Sequence, residues 1–102
     1  MKEYDIFIPL YYNDGRPIEV AKLQYLQQQL LEHFEGLTYF PQPNQGFWKF
    51  AGMHYHDQVV IYRVISEHST RSRKFLSSLK ERLKKELNQE EILIVERQIS
   101  VL

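Results

Sequence analysis

Cysteine is absent from the 102-residue chain, and its absence excludes a disulfide framework and any thiolate nucleophile or thiolate metal site. A net charge is also missing, since 13 basic residues balance 13 acidic ones. Proteins dedicated to nucleic acid usually carry a basic excess, so this balance argues against that class of partner. Hydrophobic residues make up 43% of the chain and charged residues 25%, a composition typical of folded globular proteins.

Long apolar segments are missing as well. No run approaches the roughly 20 apolar residues that span a bilayer. The first residues, MKEYDIFIPLYY, contain Asp5 and Pro9 and lack the apolar stretch of a signal peptide. We therefore expect a cytoplasmic protein that does not bind membranes, and the chain length favours a single domain over 1–102.

Hydrophobic periodicity predicts four strands and two helices. Alternating apolar side chains indicate strands, and apolar side chains three or four residues apart indicate helices. The predicted elements are a strand Tyr4–Tyr12, a helix Ile18–Glu35, an extended stretch Leu37–Phe50 interrupted at PQPNQG, a strand Gln58–Ser66, a helix Thr70–Leu87 and a strand Ile92–Leu102. Asn13–Pro17 is predicted to be a turn and 51–57 a connection.

This order predicts an α+β, ferredoxin-like fold, β-α-β-β-α-β, with two helices on one face of an antiparallel sheet. At the helix ends, Gly36 is expected to form a left-handed C-terminal cap, and Ser69 or Thr70 to cap the second helix. Many unrelated functions use this fold, so the fold alone indicates no activity.

The second face of the sheet is predicted to be apolar. Two helices cover one face, yet both parities of the predicted strands carry large apolar side chains. These are Phe7 and Tyr11 opposite the Ile/Leu face of the first strand, Val59, Ile61 and Ile65 against Val60, Tyr62 and Val64, and Leu93, Val95, Ile99 and Val101 against Ile92, Ile94 and Leu102. An exposed surface of this kind usually marks an interaction site. We expect a homodimer joined through the sheet face; in the alternative, the C-terminal strand or the PQPNQG loop covers that face within one chain.

The segment FEGLTYFPQPNQGFWKF combines a helix end with an aromatic strand. It places Phe34, Gly36 and Leu37 at the end of the first predicted helix, and Gly46 two residues before Trp48. In these motifs the chain resembles small uncharacterised bacterial proteins of the ferredoxin-like class, in which F-x-G-L-T closes the first helix and G-x-W opens the next strand segment. The resemblance implies the fold and no activity. In the simpler interpretation, the glycines shape the backbone and the aromatic rings fill space.

The sequence HYHD provides the candidate catalytic residues His54, Tyr55 and His56, followed by Asp57. Two histidines at i and i+2 on a strand point to the same side and can share a metal ion. A metal site needs a third ligand that no spacing supplies, so we predict no metal and no cofactor. A histidine acting as a general acid or base remains a hypothesis.

Aromatic side chains on the predicted strands could form a ligand-binding face, together with one arginine: Phe7, Tyr11, Phe47, Trp48, Tyr62 and Arg63. Arg63 and Arg97 lie in otherwise apolar strands and need carboxylate partners, for which Asp5, Glu67 and Glu96 are candidates. The basic residues of the second predicted helix are expected to form its solvated face. The third strand lacks the glycine of RNA-recognition sheets, so no nucleic-acid partner is predicted.

Two functions of different classes are compatible with these patterns. The first is a dimerising interaction or small-ligand-binding module. The second is a small cofactor-independent enzyme of the dimeric α/β-barrel type, with His54, His56 or Tyr55 as acid or base. A pocket that holds a histidine within hydrogen-bond reach of a carboxylate would favour the enzyme, and histidines exposed to solvent would favour the module.

Overall fold

The computed structural model describes residues 1–102, and it has the ferredoxin-like fold. Strands β1 (Lys2–Pro9), β2 (Leu37–Phe50), β3 (Met53–Ser66) and β4 (Ile94–Gln98) form one antiparallel sheet in the order β2-β3-β1-β4. Helices α1 (Val20–His33) and α2 (Ser69–Glu86) follow β1 and β3. Neither helix combines the length and apolar character that crossing a membrane requires.

One face of the sheet forms the core with both helices. Alternate residues of β1 and β3 point to this face, and the apolar stripes of the helices pack on it, as the period of two in strands and of 3.6 in helices requires. The core contains Tyr4, Ile6, Ile8, Val60, Tyr62 and Val64 from the sheet and Leu26, Leu30, Leu76, Leu79 and Leu83 from the helices.

The opposite face of the sheet, called here the open face, is less apolar than the sequence predicted. Asp5 lies at its centre, 2% exposed, and accepts hydrogen bonds from Arg63 (Nε, 2.8 Å) and Arg97 (2.9 Å). Glu3 also pairs with Arg63. Asp5 is therefore the partner of both strand arginines, as one of the predicted pairings proposed. The sheet ends at β4, and no further segment of the chain extends it.

The β2–β3 hairpin is longer than predicted, since the connection is only Ala51–Gly52 rather than 51–57. Both of these residues have positive φ (51° and 77°), as tight hairpin turns require. Residues 53–57 were predicted to belong to the connection, yet they pair with β2, for example His56 with Phe47. The predicted interruption at PQPNQG is a register shift between Phe40 and Asn44 inside a continuous strand.

The predicted helix caps are wrong. Gly36 does not have a positive φ, because α1 already ends at Phe34, which has an extended backbone. His68, not Ser69 or Thr70, is the N-cap residue of α2, and its backbone N–H donates to the Oγ of Ser66. The first and last strands are also shorter than predicted, since β1 ends at Pro9 and β4 at Gln98.

Candidate ligand cleft

An open cleft of about 510 Å³ lies between the first half of β3 and the loop that follows β1. The HYHD segment forms one wall and the loop forms the other. The lining residues are Tyr11, Tyr12, Asn13, Gly15, His54, Tyr55, His56, Asp57 and Gln58. The cleft thus joins two segments that are far apart in the sequence.

The cleft exists because β3 extends beyond the end of β1. The last residue of β1, Pro9, is opposite Val59, so the residues of β3 before Val59 have β2 on one side and no strand on the other. The chain leaves the sheet at Leu10, whose N–H donates to the carbonyl of Gln58. Tyr11 then forms an isolated bridge with Pro17, which holds the intervening loop beside β3.

Tyr12 anchors this loop to both helices. Its hydroxyl donates to the carboxylate of Glu19 and accepts a hydrogen bond from Lys22 Nζ (2.7 Å), which also donates to the carbonyl of Glu86. The hydrogen bond from Tyr12, then a hydrogen bond from the backbone of Glu19 and a smaller effect of Lys22, lower the pKa of Glu19 to about 2. The guanidinium of Arg16 lies 4.9 Å from the centre of the Tyr12 ring. Sequence reasoning missed Tyr12, since its ring occupied a predicted core position.

Both histidines of the HYHD segment are exposed. The His56 ring stacks on Phe47, with centroids 4.4 Å apart, and its Nε2 lies 3.2 Å from the Oε1 of Gln45. No hydrogen bond joins His54 or His56 to a carboxylate. Phe47 and Gln45 reach His56 because they lie on the same face of the paired strand, so the exposed end of the hairpin positions this ring.

Asp57 is the half-buried carboxylate of the cleft. It forms no salt bridge and no hydrogen bond, whereas Glu3, Asp5 and Glu96, the other carboxylates of similar or greater burial, are paired with basic side chains. Burial raises the pKa of Asp57, and the charge of His56 only partly opposes that effect. Asp57 belonged to the sequence motif but was not among the predicted site residues. Asp57 lies on β3 just beyond the point where β1 ends, and the side-chain pattern of the sequence does not show that β1 ends there.

The predicted site residues do not form one site. His54, Tyr55, His56 and Tyr11 line the cleft, whereas Phe47 and Trp48 lie on the neighbouring strand of the hairpin. The predicted single aromatic face is wrong, because residues of opposite parity were combined. The members that lie elsewhere are Phe7, half-buried on the open face, and Tyr62, 1% exposed in the helix-covered core.

Tyr62 and Arg63 have structural partners that account for their positions. The Tyr62 ring stacks on Tyr39 with centroids 4.6 Å apart, and burial raises the pKa of Tyr62. Arg63 is held by Asp5 and Glu3 and lies over the ring of Phe40. Neither side chain reaches the cleft, so both remain outside the candidate site.

The cleft lacks the ligand set of a metal centre. No group of three His, Cys, Asp or Glu side chains in the structure is close enough together to hold a metal ion. His54 and His56 share a parity on β3, but no third ligand joins them. What the cleft offers is aromatic rings, amide groups and one carboxylate.

Comparison with known proteins identifies the fold and no family. No protein-family model and no curated protein matches the chain. Among solved structures, a phage SAM lyase in complex with S-methyl-5'-thioadenosine is 11% identical, with a TM-score of 0.65 over 95% of this chain and 80% of that one. A divalent cation tolerance protein, CutA1, from Thermus thermophilus is 18% identical, with a TM-score of 0.63 over 99% and 86%.

A third similar structure is a CutA1 variant from Pyrococcus horikoshii. It is 13% identical and covers 100% of this chain and 86% of that one, with a TM-score of 0.61. These proteins differ in role, since one is a lyase and another is a divalent cation tolerance protein. At these identities the likeness establishes the shared fold alone.

Proposed function

We propose that this protein is a non-enzymatic module that self-associates and binds a small ligand in the cleft beside β3. The observation that carries the proposal is the setting of the two histidines. His54 and His56 are exposed, and the one side chain that shares a hydrogen bond with His56 is the amide of Gln45. A general base needs a group that orients it and a site that excludes water, and the histidines have neither.

Two exposed apolar surfaces support self-association. The first is the hairpin end, defined as residues 45–53, where Phe47 is 70% and Met53 60% exposed. The second is the open face, where Phe40 and Ile65 are exposed beside the Asp5 cluster. Apolar side chains concentrated in this way usually mark an interaction surface, and a second copy of the chain is the simplest partner. We propose a homodimer that buries the hairpin end and the adjoining open face.

Light scattering coupled to size exclusion, over a range of protein concentrations, tests this assembly. We expect twice the chain mass for the wild type at high concentration. Phe47→Ser should shift the mass toward that of one chain, and Ile65→Ser tests the open face in the same way. Leu31→Ser is the matched control, because Leu31 is 52% exposed on α1 and lies outside both surfaces. A wild type with the mass of one chain at every concentration would contradict self-association.

The alternative is a small enzyme that uses His54, His56 or Tyr55 as acid or base, and one observation favours it. The three side chains share the cleft with Asp57, a carboxyl whose pKa is raised by burial, and perturbed carboxyls are common in active sites. The enzyme would need a rearrangement that brings Asp57 within hydrogen-bond reach of a histidine. A structure with ligand bound in the cleft distinguishes the two functions, since only the enzyme requires that contact.

A further inference from the structure

We infer that the ligand of the cleft is a small organic cation, held by the ring of Tyr11 and the carboxylate of Asp57. The inference rests on the proposed binding function and adds the chemical class of the ligand. It depends on three observations: the charge of the lining, the free ring of Tyr11 and the unpaired carboxylate.

The lining contains no lysine and no arginine. Its one acidic side chain is Asp57, and the other polar groups are tyrosine, histidine and amide side chains. With neutral histidines the cleft therefore has a negative charge and no fixed positive charge. Such a lining favours a cation over a phosphate or a carboxylate, which would need basic partners.

The two adjacent tyrosines differ in what their rings contact. The Tyr12 ring already has two cations near its centre, Arg16 at 4.9 Å and Lys22 at 5.3 Å. Tyr11, next to it, is 42% exposed, and no cation of the chain lies over its ring. An aromatic face attracts a cation through the ring quadrupole, and Tyr11 is one of the residues that line the cleft.

Asp57 supplies the opposite charge. A half-buried carboxylate is normally paired with a basic group, because partial burial penalises an isolated charge. Asp57 has no such partner within the chain, although Glu3, Asp5 and Glu96, which are similarly or more deeply buried, all do. A bound cation would complete this pair. A metal ion is a poorer match, because no third metal-ligating side chain is within reach.

The test compares two probes of the same shape and different charge. Choline is the cation, and 3,3-dimethylbutan-1-ol is its neutral counterpart, in which carbon replaces the nitrogen. Each is titrated into the ¹⁵N-labelled full chain, and amide shifts are followed by NMR. We expect choline to bind about tenfold more tightly than the alcohol, with shifts at Tyr11, Gly15 and 54–58. Equal binding of the two probes, or no shift at these amides, overturns the inference.

Variants assign the binding to the two groups. Tyr11→Phe keeps the ring and should retain choline binding, whereas Tyr11→Leu and Asp57→Asn should each weaken it about fivefold or more. Tyr25→Leu is the control, since Tyr25 is an exposed ring on α1 outside the cleft. Unchanged affinity in both Tyr11→Leu and Asp57→Asn overturns the inference. Amide dispersion reports whether each variant is folded, and the two-probe comparison on the wild type needs no variant.

The mass of each sample, measured by sedimentation, separates this inference from the proposed assembly. Choline binding to a single chain would leave the ligand class intact and contradict the homodimer. A homodimer that binds neither probe would leave the assembly intact and overturn the ligand class.

Discussion

Asp5 is the residue that joins three strands on the open face. It is almost fully buried, and hydrogen bonds from Arg63 and then Arg97 hold its pKa below the ordinary value of 3.8. The strand arginines belong to β3 and β4, which flank β1. Loss of this carboxylate would leave two guanidinium groups facing each other across β1, so Asp5 has a structural role that Asp14, paired at the surface with Arg16, does not share.

We therefore expect Asp5→Asn to lower the free energy of unfolding by about 3 kcal/mol. This value is at the low end for a broken buried pair, because both arginines keep contact with water. Asp14→Asn is the matched control, and it should leave the urea midpoint almost unchanged. Equal midpoints for Asp5→Asn and the wild type would contradict the role of the cluster.

Gly46 is required by the ring two residues away. A Cβ built at Gly46 would lie 2.6 Å from Cζ3 of Trp48, whereas a Cβ at Gly36 would meet nothing within 4 Å. Gly46→Ala should therefore displace the Trp48 ring and destabilise the protein by about 1–3 kcal/mol, while Gly36→Ala should be neutral or slightly stabilising.

The emission of Trp48, the one tryptophan in the chain, measures this displacement directly. Gly46→Ala should shift the emission maximum and lower the urea midpoint. Gly36→Ala should leave the emission maximum unchanged and should not lower the urea midpoint. Wild-type emission and a wild-type urea midpoint for Gly46→Ala would contradict this prediction, because the Trp48 ring would then accommodate the added methyl group with no loss of stability.

At the scale of elements, the sequence predicted the order of strands and helices, and it failed at the element ends. Periodicity identifies the middle of β3, since VVIYRVI alternates between two apolar faces. It fails over 53–57, where pairing with β2 rather than side-chain pattern makes the strand. The cleft could not be predicted, because it depends on β1 ending earlier than β3. The candidate residues His54–His56 and Tyr11 were named, but their proximity is a property of the register.

The end of α1 is joined to α2 by a stacked pair, His33 on Phe75, with centroids 3.9 Å apart. Burial, and then the charge of Arg71, lowers the pKa of His33 from its ordinary value of 6.5. As pH falls below 6.5, the unfolded chain takes up a proton that the folded chain accepts only at lower pH. This contribution to stability is therefore lost as pH falls from 6.5 through the lower, folded pKa.

We expect the wild type to lose stability in this pH range more steeply than a His33→Phe variant, which keeps a ring against Phe75 and cannot be protonated. The measurement is the urea midpoint between about pH 7.5 and about pH 5. His54→Gln is the control, because it leaves the His33–Phe75 stack intact. This variant should lose stability between the two pH values as steeply as the wild type does. Parallel curves for the wild type and His33→Phe would contradict this role.

At the scale of the whole molecule, the fold covers one face of the sheet and leaves large apolar side chains exposed at the hairpin end. On the open face the charge of Asp5 is paired with Arg63 and Arg97. At the hairpin end, Phe47 and Met53 remain largely exposed to solvent. The molecule extends over 41 × 30 × 25 Å, an elongated shape for a small α+β fold. These features are what the proposed homodimer explains.

Hydrogen–deuterium exchange at two protein concentrations tests this central claim most directly. We predict that a higher concentration slows exchange in the hairpin end, residues 45–53, and leaves the outer surface of α1 unchanged, because only the contact surface is protected by a second copy. Exchange in the hairpin end that is independent of concentration, in a sample concentrated enough for light scattering to detect a dimer, would contradict it.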